Sequence, residues 1–263
     1  MVSKTMSEVP LHDLVIRTIS EYLRISKYLG ANNNHLIFSN DALINLQRVN
    51  KRFYQLRDIF IGQIICDRYQ SAYAYKNNPY GWNKVYHMSL CNNLLQDVSQ
   101  LGSIKSLCVS YCAELRDVSA LRHVHKLTLD VSNVRDFSML GTVHTLVLDC
   151  CPFLYDVSPL WSVHSLTLAN CSNVRDVSPL CKVHKLSLID CCGISDFLAL
   201  SGAHSLTIFA CDNITDVSTL GGVNSLVIQY CPNIRDISML SNVPNLTVKC
   251  CVNHPDIQRL RKN

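Results

Sequence analysis

The 263-residue chain contains no apolar run long enough to span a bilayer, which takes about 20 residues. It has no glycine-rich phosphate loop, no G-x-S-x-G elbow and no Cys/His constellation standing apart from a repeat, so no motif marks it as an enzyme. Paired C-x-x-C spacing is missing as well, and the neighbours Cys150-Cys151, Cys191-Cys192 and Cys250-Cys251 do not supply it. No metal and no cofactor are therefore expected. Charge is scarce, at 17% of residues, and uneven. Lys and Arg against Asp and Glu number 11 to 6 over residues 1–85, 9 to 13 over 86–248, and 4 to 1 from Lys249 onward. The dense basic stripe that nucleic-acid binding needs is absent, and a protein partner, with neither nucleic acid nor membrane, is the expectation. Lys4, Glu8, His12, Asp13 and Arg17 interrupt the first twenty residues, so a secretory h-region is lacking and a cytoplasmic address, or a nuclear one, is predicted.

Repetition is abundant. The stretch 163–180, V-H-S-L-T-L-A-N-C-S-N-V-R-D-V-S-P-L, recurs along the chain. Its anchoring leucine falls at Leu107, Leu127, Leu146, Leu166, Leu186, Leu206, Leu226 and Leu246, every 20 residues except for one step of 19, and Met88 extends the series upstream. An aspartate column from Asp97 to Asp236 keeps the same rhythm. A period of this size dictates a stacked-repeat architecture before any local propensity is consulted.

Within the unit, Leu166 and Leu168 flank Thr167, an alternation that sends both leucines inward on a strand and threonine outward. Twenty residues leave no room for a full helix opposite. Ser158-Pro159-Leu160 and Ser178-Pro179-Leu180 predict a capping serine, a proline at the first helical position and one 3₁₀ turn. One turn cannot bury enough surface to fold alone, so stacking is obligatory. Seven of the fourteen cysteines, Cys112, Cys151, Cys171, Cys191, Cys211, Cys231 and Cys251, share one repeat position, where a buried thiol would bond backbone groups of the turn. His125, His144, His164, His184 and His204 form a further column, read as structural. The aspartates are expected to accept backbone N–H bonds before V-S-x-L.

The unit V-x-x-L-x-L-x-x-C-x-x-I/V-x-D-V-S-x-L resembles the leucine-rich repeat, with cysteine where many family members have asparagine. The fold class this implies is α/β: a short leucine-rich-repeat solenoid over residues 86–250, eight to nine turns, with a parallel β-sheet on its concave face and a 3₁₀ or irregular convex side. Residues 251–263 would close it with a short helix and basic tail. Residues 58–85, rich in tyrosine, are predicted to be a helix and an irregular segment that form the N-terminal cap.

Ahead of the repeats, Leu11, Leu14, Val15, Ile19 and Leu23 keep helical spacing behind Pro10, and a second apolar face carries Leu43, Leu46, Val49, Phe53 and Leu56. Pro10, Asp13, Leu14, Ile19, Tyr22, Leu23, Leu46, Val49, Lys51, Phe53 and Leu56 match the F-box pattern, so residues 1–57 resemble a divergent F-box. Val9 stands where the family has leucine, and the loop holding Asn32, Asn33 and Asn34 is longer than usual. The joint resemblance implies the substrate receptor of a cullin-RING ubiquitin ligase, with Pro10, Leu11, Leu14, Ile19, Leu23, Val49 and Phe53 holding a Skp-type adaptor and through it a cullin. The style is also similar to F-box and repeat proteins of giant viruses of amoebae. The alternative is a repeat scaffold or inhibitor whose N-terminal helices only cap the solenoid.

A residue present in every turn serves the turn, so specificity is sought where outward positions differ. The candidates for target binding on the concave face are Tyr111, Lys126, Asp130, Asp149, Lys185, Ile189, Phe209, Gln229 and Tyr230, because exposed aromatic and aliphatic anchors tend to dominate interface energy.

Overall fold

The computed structural model describes residues 63–66, 87–91 and 95–251. Ten strands lie in one parallel sheet in sequence order: β1 (Gln63–Cys66), β2 (His87–Cys91), β3 (Ser106–Ser110), β4 (Lys126–Asp130), β5 (Thr145–Asp149), β6 (Ser165–Ala169), β7 (Lys185–Ile189), β8 (Ser205–Phe209), β9 (Ser225–Gln229) and β10 (Asn245–Lys249). The chain is thus a right-through solenoid with leucine-rich-repeat geometry, one strand per turn. At about 4.8 Å per strand the sheet is roughly 43 Å wide. Register is unbroken, so Leu127, Leu146, Leu166, Leu186, Leu206 and Leu226 sit in line. Among the described residues no helix is long and apolar enough to cross a membrane.

The alternation read from the sequence is reproduced: strand after strand has its second and fourth residues buried and its first and third at least partly exposed. One turn shows how the interior fills. Leu146, Leu148, Cys151, Leu154, Val157, Leu160 and Val163 are all buried, and the corresponding side chains of the turns on either side close over them. Short 3₁₀ turns such as Ser138–Thr142 and Ser178–Lys182 return the chain along the convex side, as a 20-residue unit requires.

Two sequence expectations are corrected. The predicted helix after residue 58 gives way at Gln63–Cys66 to β1, which pairs with β2 and sets Ile64 beside Met88. β-branched residues in a short run suit a strand, and the sheet so gains a turn ahead of the leucine series. The serine of V-S-P-L does not cap its 3₁₀ turn. It is the first residue of that turn, while Val157 and Val177 occupy the cap position without a side-chain bond. Capping falls to the aspartate two residues before the serine, whose carboxylate accepts the serine N–H. Proline does stand at the start of both turns.

The single short step in the leucine series also has a structural cause. Tyr111, Cys150, Asn170, Asp190, Ala210, Tyr230 and Cys250 each take a left-handed backbone with φ of 50–55° just after their strand. After β4 that residue is missing, and Val131 moves directly into the buried cysteine position. A left-handed residue other than glycine or asparagine costs about 1 kcal/mol. Ala210→Gly is therefore expected to stabilise the fold by up to about 1 kcal/mol. Leu186→Ala, in mid-stack, should cost about 3 kcal/mol. Equilibrium denaturation measures both, and a destabilised Ala210→Gly would contradict the strain ascribed to that turn.

Candidate functional site

The columns separate scaffold from site. Each described cysteine of the column is buried and donates its thiol to backbone carbonyls. Cys171 Sγ reaches Ala169 O at 3.2 Å and Leu148 O at 3.6 Å, so one thiol ties its own turn to the previous one. Cys191, Cys211, Cys231 and Cys251 repeat the arrangement. Burial pushes the Cys191 thiol up to about 12 and raises Cys211, which keeps both protonated as donors. A second amide ladder was not anticipated. The side-chain amides of Asn133, Asn173, Asn213 and Asn233 each donate to a carbonyl of the preceding turn, Ala113, Pro152, Cys192 and Asp212 respectively. Its signal in the sequence is asparagine two places after the column position, cysteine in three of these turns and Val131 in the fourth.

The aspartates behave as expected. Oδ1 of Asp97, Asp117, Asp136, Asp156, Asp176, Asp196, Asp216 and Asp236 accepts the N–H two residues on at 2.7–2.8 Å. In Asp156 and Asp176 the serine hydroxyl and then the serine N–H lower the carboxyl below its ordinary value. Adjacent carboxylates push the other way and lose, because the hydrogen bonds act on contact whereas the repulsion is screened by water.

What remains varies from turn to turn. On the sheet, the position after the second leucine reads Ser110, Asp130, Asp149, Ala169, Ile189, Phe209, Gln229 and Lys249, each the register partner of the next. Two districts result. Asp130 and Asp149 are paired neighbours. Burial and the charge of Asp149 raise the Asp130 carboxyl. Asn170 Nδ2 holds Asp149 Oδ1 at 2.7 Å, and among the described residues no lysine or arginine neutralises the pair. The same burial, with Asp149, pushes the Cys150 thiol up to about 11.

Beginning on the very next strand, Ala169, Ile189 and Phe209 form an apolar row. The Phe209 and Tyr230 rings pack at 5.1 Å between centroids with a 59° tilt, and Tyr230 is 52% exposed. Such a pair is a rigid apolar surface facing solvent. Gln229 borders Phe209 in register. Lys126 and Lys185 stand exposed at the other ends of their strands, apart from both districts, and Tyr111, 63% exposed, lies toward the first turns. Ala169 and Asn170 are the members that sequence reading passed over. The adaptor candidates Pro10, Leu11, Leu14, Ile19, Leu23, Val49 and Phe53 lie outside the described residues.

No family model matches the sequence and no curated protein matches it. Solved structures similar in shape include an internalin, InlF, of Listeria monocytogenes, at 19% identity over 74% of this chain and 73% of that one, TM-score 0.39. The leucine-rich repeat domain of the type III effector XCV3220 (XopL) is 14% identical over 97% and 92%, TM-score 0.42. The functional domain of Listeria monocytogenes InlJ, described as including a cysteine ladder, is 15% identical over 64% and 49%, TM-score 0.33. At that distance, the side chains described above carry the functional reading.

Because the Asp117, Asp136, Asp156, Asp176 and Asp216 carboxyls are depressed in the fold, their contribution is complete above the unfolded value near 3.9 and vanishes as pH falls through the lower folded value. Asp176→Ala should lower the thermal midpoint at pH 7 but change it little at pH 2. A difference that is the same at both values would refute the capping role.

Proposed function

We propose that the chain is a non-catalytic protein-interaction scaffold whose concave sheet seats a target protein. The observation that carries this is the Ile189, Phe209 and Tyr230 surface: Ile189 and Phe209 stand half-buried in a strand row otherwise occupied by small, polar and charged residues, and the Phe209 ring packs on that of the exposed Tyr230 just past β9. Nothing in the packing of the turns calls for these side chains, since equivalent positions hold serine, aspartate and lysine without loss of register. Hot-spot aromatics of this kind are worth about 2 kcal/mol or more each when truncated. Proximity labelling in cells with the full chain and with Phe209→Ala/Tyr230→Ala should show one set of neighbours lost in the variant. Unchanged labelling of every neighbour would exclude this face.

The finer role rests on the N-terminal resemblance: a substrate receptor that docks a Skp-type adaptor, and through it a cullin, by residues 1–57, acting in the cytosol or nucleus. The motif positions Pro10, Leu14, Ile19, Leu23, Val49 and Phe53 support it. Val9 and the extended asparagine loop favour the second reading, a scaffold or inhibitor that engages its target without an adaptor. Full-length chain and purified adaptor should co-elute in gel filtration, and Leu14→Asp should abolish co-elution while leaving the β-rich circular dichroism intact. Absence of co-elution for the wild-type chain selects the scaffold reading.

A further inference from the structure

The histidine column does something that the cysteine and aspartate columns do not: it is mostly exposed, and no backbone group accounts for it. His125, His144, His164, His184 and His204 stack face to face at the edge where the strands begin, with ring centroids 4.5, 4.7, 4.7 and 4.1 Å apart and interplanar angles of 13–30°. Among the described residues, His144 is the one member of the five with a side-chain hydrogen bond, to the hydroxyl of Thr145 at 3.2 Å. The nitrogens of such parallel rings point side by side and do not converge on a point, and no metal-holding group of three occurs among the described residues.

The setting of the ladder is the second observation. Of the thirteen carboxylates of residues 95–251, Asp130 and Asp149 are the last residues of their strands and the other eleven lie between a strand end and the start of the following 3₁₀ turn, away from the strand starts. None lies in a 3₁₀ turn, in a strand start or in the link between them. The ionisable groups in the 3₁₀ turns, links and strand starts next to the ladder are Lys105, Arg122, His123, Lys126, Cys181, Lys182 and Lys185, none of them a carboxylate. Arg122 Nε donates to His123 Nε2 at 3.0 Å, which uses that ring as a neutral acceptor. Like charges along a stack of this pitch repel, and the His184 ring is held below its ordinary value by burial, then by His204, His164 and Lys185. The fixed positive charges of this edge are those of its lysines and arginine. Histidine is the side chain type that gains charge between neutrality and mild acid, so acid adds positive charge to this row, and no carboxylate among the described residues lies in the 3₁₀ turns, links or strand starts to balance it.

We propose that this edge is a docking surface for a carboxylate-rich protein segment, engaged in mild acid and released near neutrality. An anionic strand laid along the row supplies a countercharge that no carboxylate among the described residues supplies, so binding and proton uptake reinforce each other. A protein segment fits better than single-stranded nucleic acid, because no Phe, Tyr or Trp occupies the first position of any of the strands from β2 to β10, and stacking platforms are what such strands use. The surface is separate from the Ile189, Phe209 and Tyr230 face, so either can fail without the other.

The test is fluorescence anisotropy of a labelled oligo-aspartate peptide, whose carboxylates stay ionised, titrated with the full chain at pH 7.5 and pH 5.5 at fixed ionic strength. Binding should be at least about tenfold tighter at pH 5.5, and the triple variant His144→Gln/His164→Gln/His184→Gln should lose about tenfold at pH 5.5 and nothing at pH 7.5. Histidine ring NMR signals, followed without and with peptide, should titrate at higher pH with it, a readout that does not depend on the variant folding. Ile189→Ala/Phe209→Ala should bind the peptide like wild type. Equal affinity at the two pH values, a triple variant that binds as tightly as wild type, or tighter binding of a labelled oligonucleotide of equal charge would overturn the proposal. So would acid-induced self-association without peptide, which would seat a second copy's carboxylate edge there instead.

Discussion

Everything in this molecule depends on the fact that a 20-residue turn cannot bury its own interior. A strand of five residues and one 3₁₀ turn enclose seven apolar side chains around a core that is open above and below, and only an identical neighbour closes it. Stacking in exact register follows, because a slip of one residue would bring the outward row of Thr128, Val147 and Thr167 inward and expose the leucines. The cysteine and asparagine ladders serve the same end. Each donates to a carbonyl of the preceding turn, so the polar groups left over at the bend are satisfied by the contact that buries the leucines.

The period, the inward alternation, the aspartate's role and the thiol's role were legible in the sequence because each is a residue type repeated where the backbone needs it. The capping serine was misassigned because Ser-Pro at a turn start looks the same whether serine precedes the turn or begins it. The length of the link back to the strand decides, and Asp156, one residue earlier than Val157, reaches the Ser158 N–H at 2.8 Å. β1 was missed for a different reason. Gln63–Cys66 carries no leucine at the repeat spacing and stands 24 residues ahead of β2 in register, outside the 20-residue rhythm that identified every other turn. The 19-residue step, by contrast, was visible as a number and became intelligible only as the loss of the left-handed residue after β4.

For the site, sequence reading found the variable outward positions but could not group them. Nine candidates spread over the turns from Tyr111 to Tyr230 resolve into an acidic pair, an apolar row and outlying lysines once register is known. Distance is the arbiter: Asp130 and Ile189 are three strands apart, about 14 Å, too far to act on one side chain and close enough to act on one partner. Ala169 escaped notice because alanine looks inert, yet it is the residue that separates Asp149 from Ile189 in the row.

A repeat of this pitch also imposes an electrostatic rule. Whatever occupies a position in successive turns is brought to within about 5 Å of its copy. Thiols, amides and neutral imidazoles tolerate this, and they form the long columns. Charged groups tolerate it only when something else holds them, as the serine N–H and hydroxyl hold the aspartates before each 3₁₀ turn. Lysines on the strand starts obey the rule by avoiding each other, with Thr145 and Ser165 between Lys126 and Lys185. Asp130 and Asp149 are the departure: adjacent, without a neutralising lysine or arginine among the described residues, and on the open face, with the Asp130 carboxyl raised by its burial and then by Asp149. Repulsion that the fold could have removed with a single serine, as at Ser110 in the previous turn, is retained where a partner would relieve it.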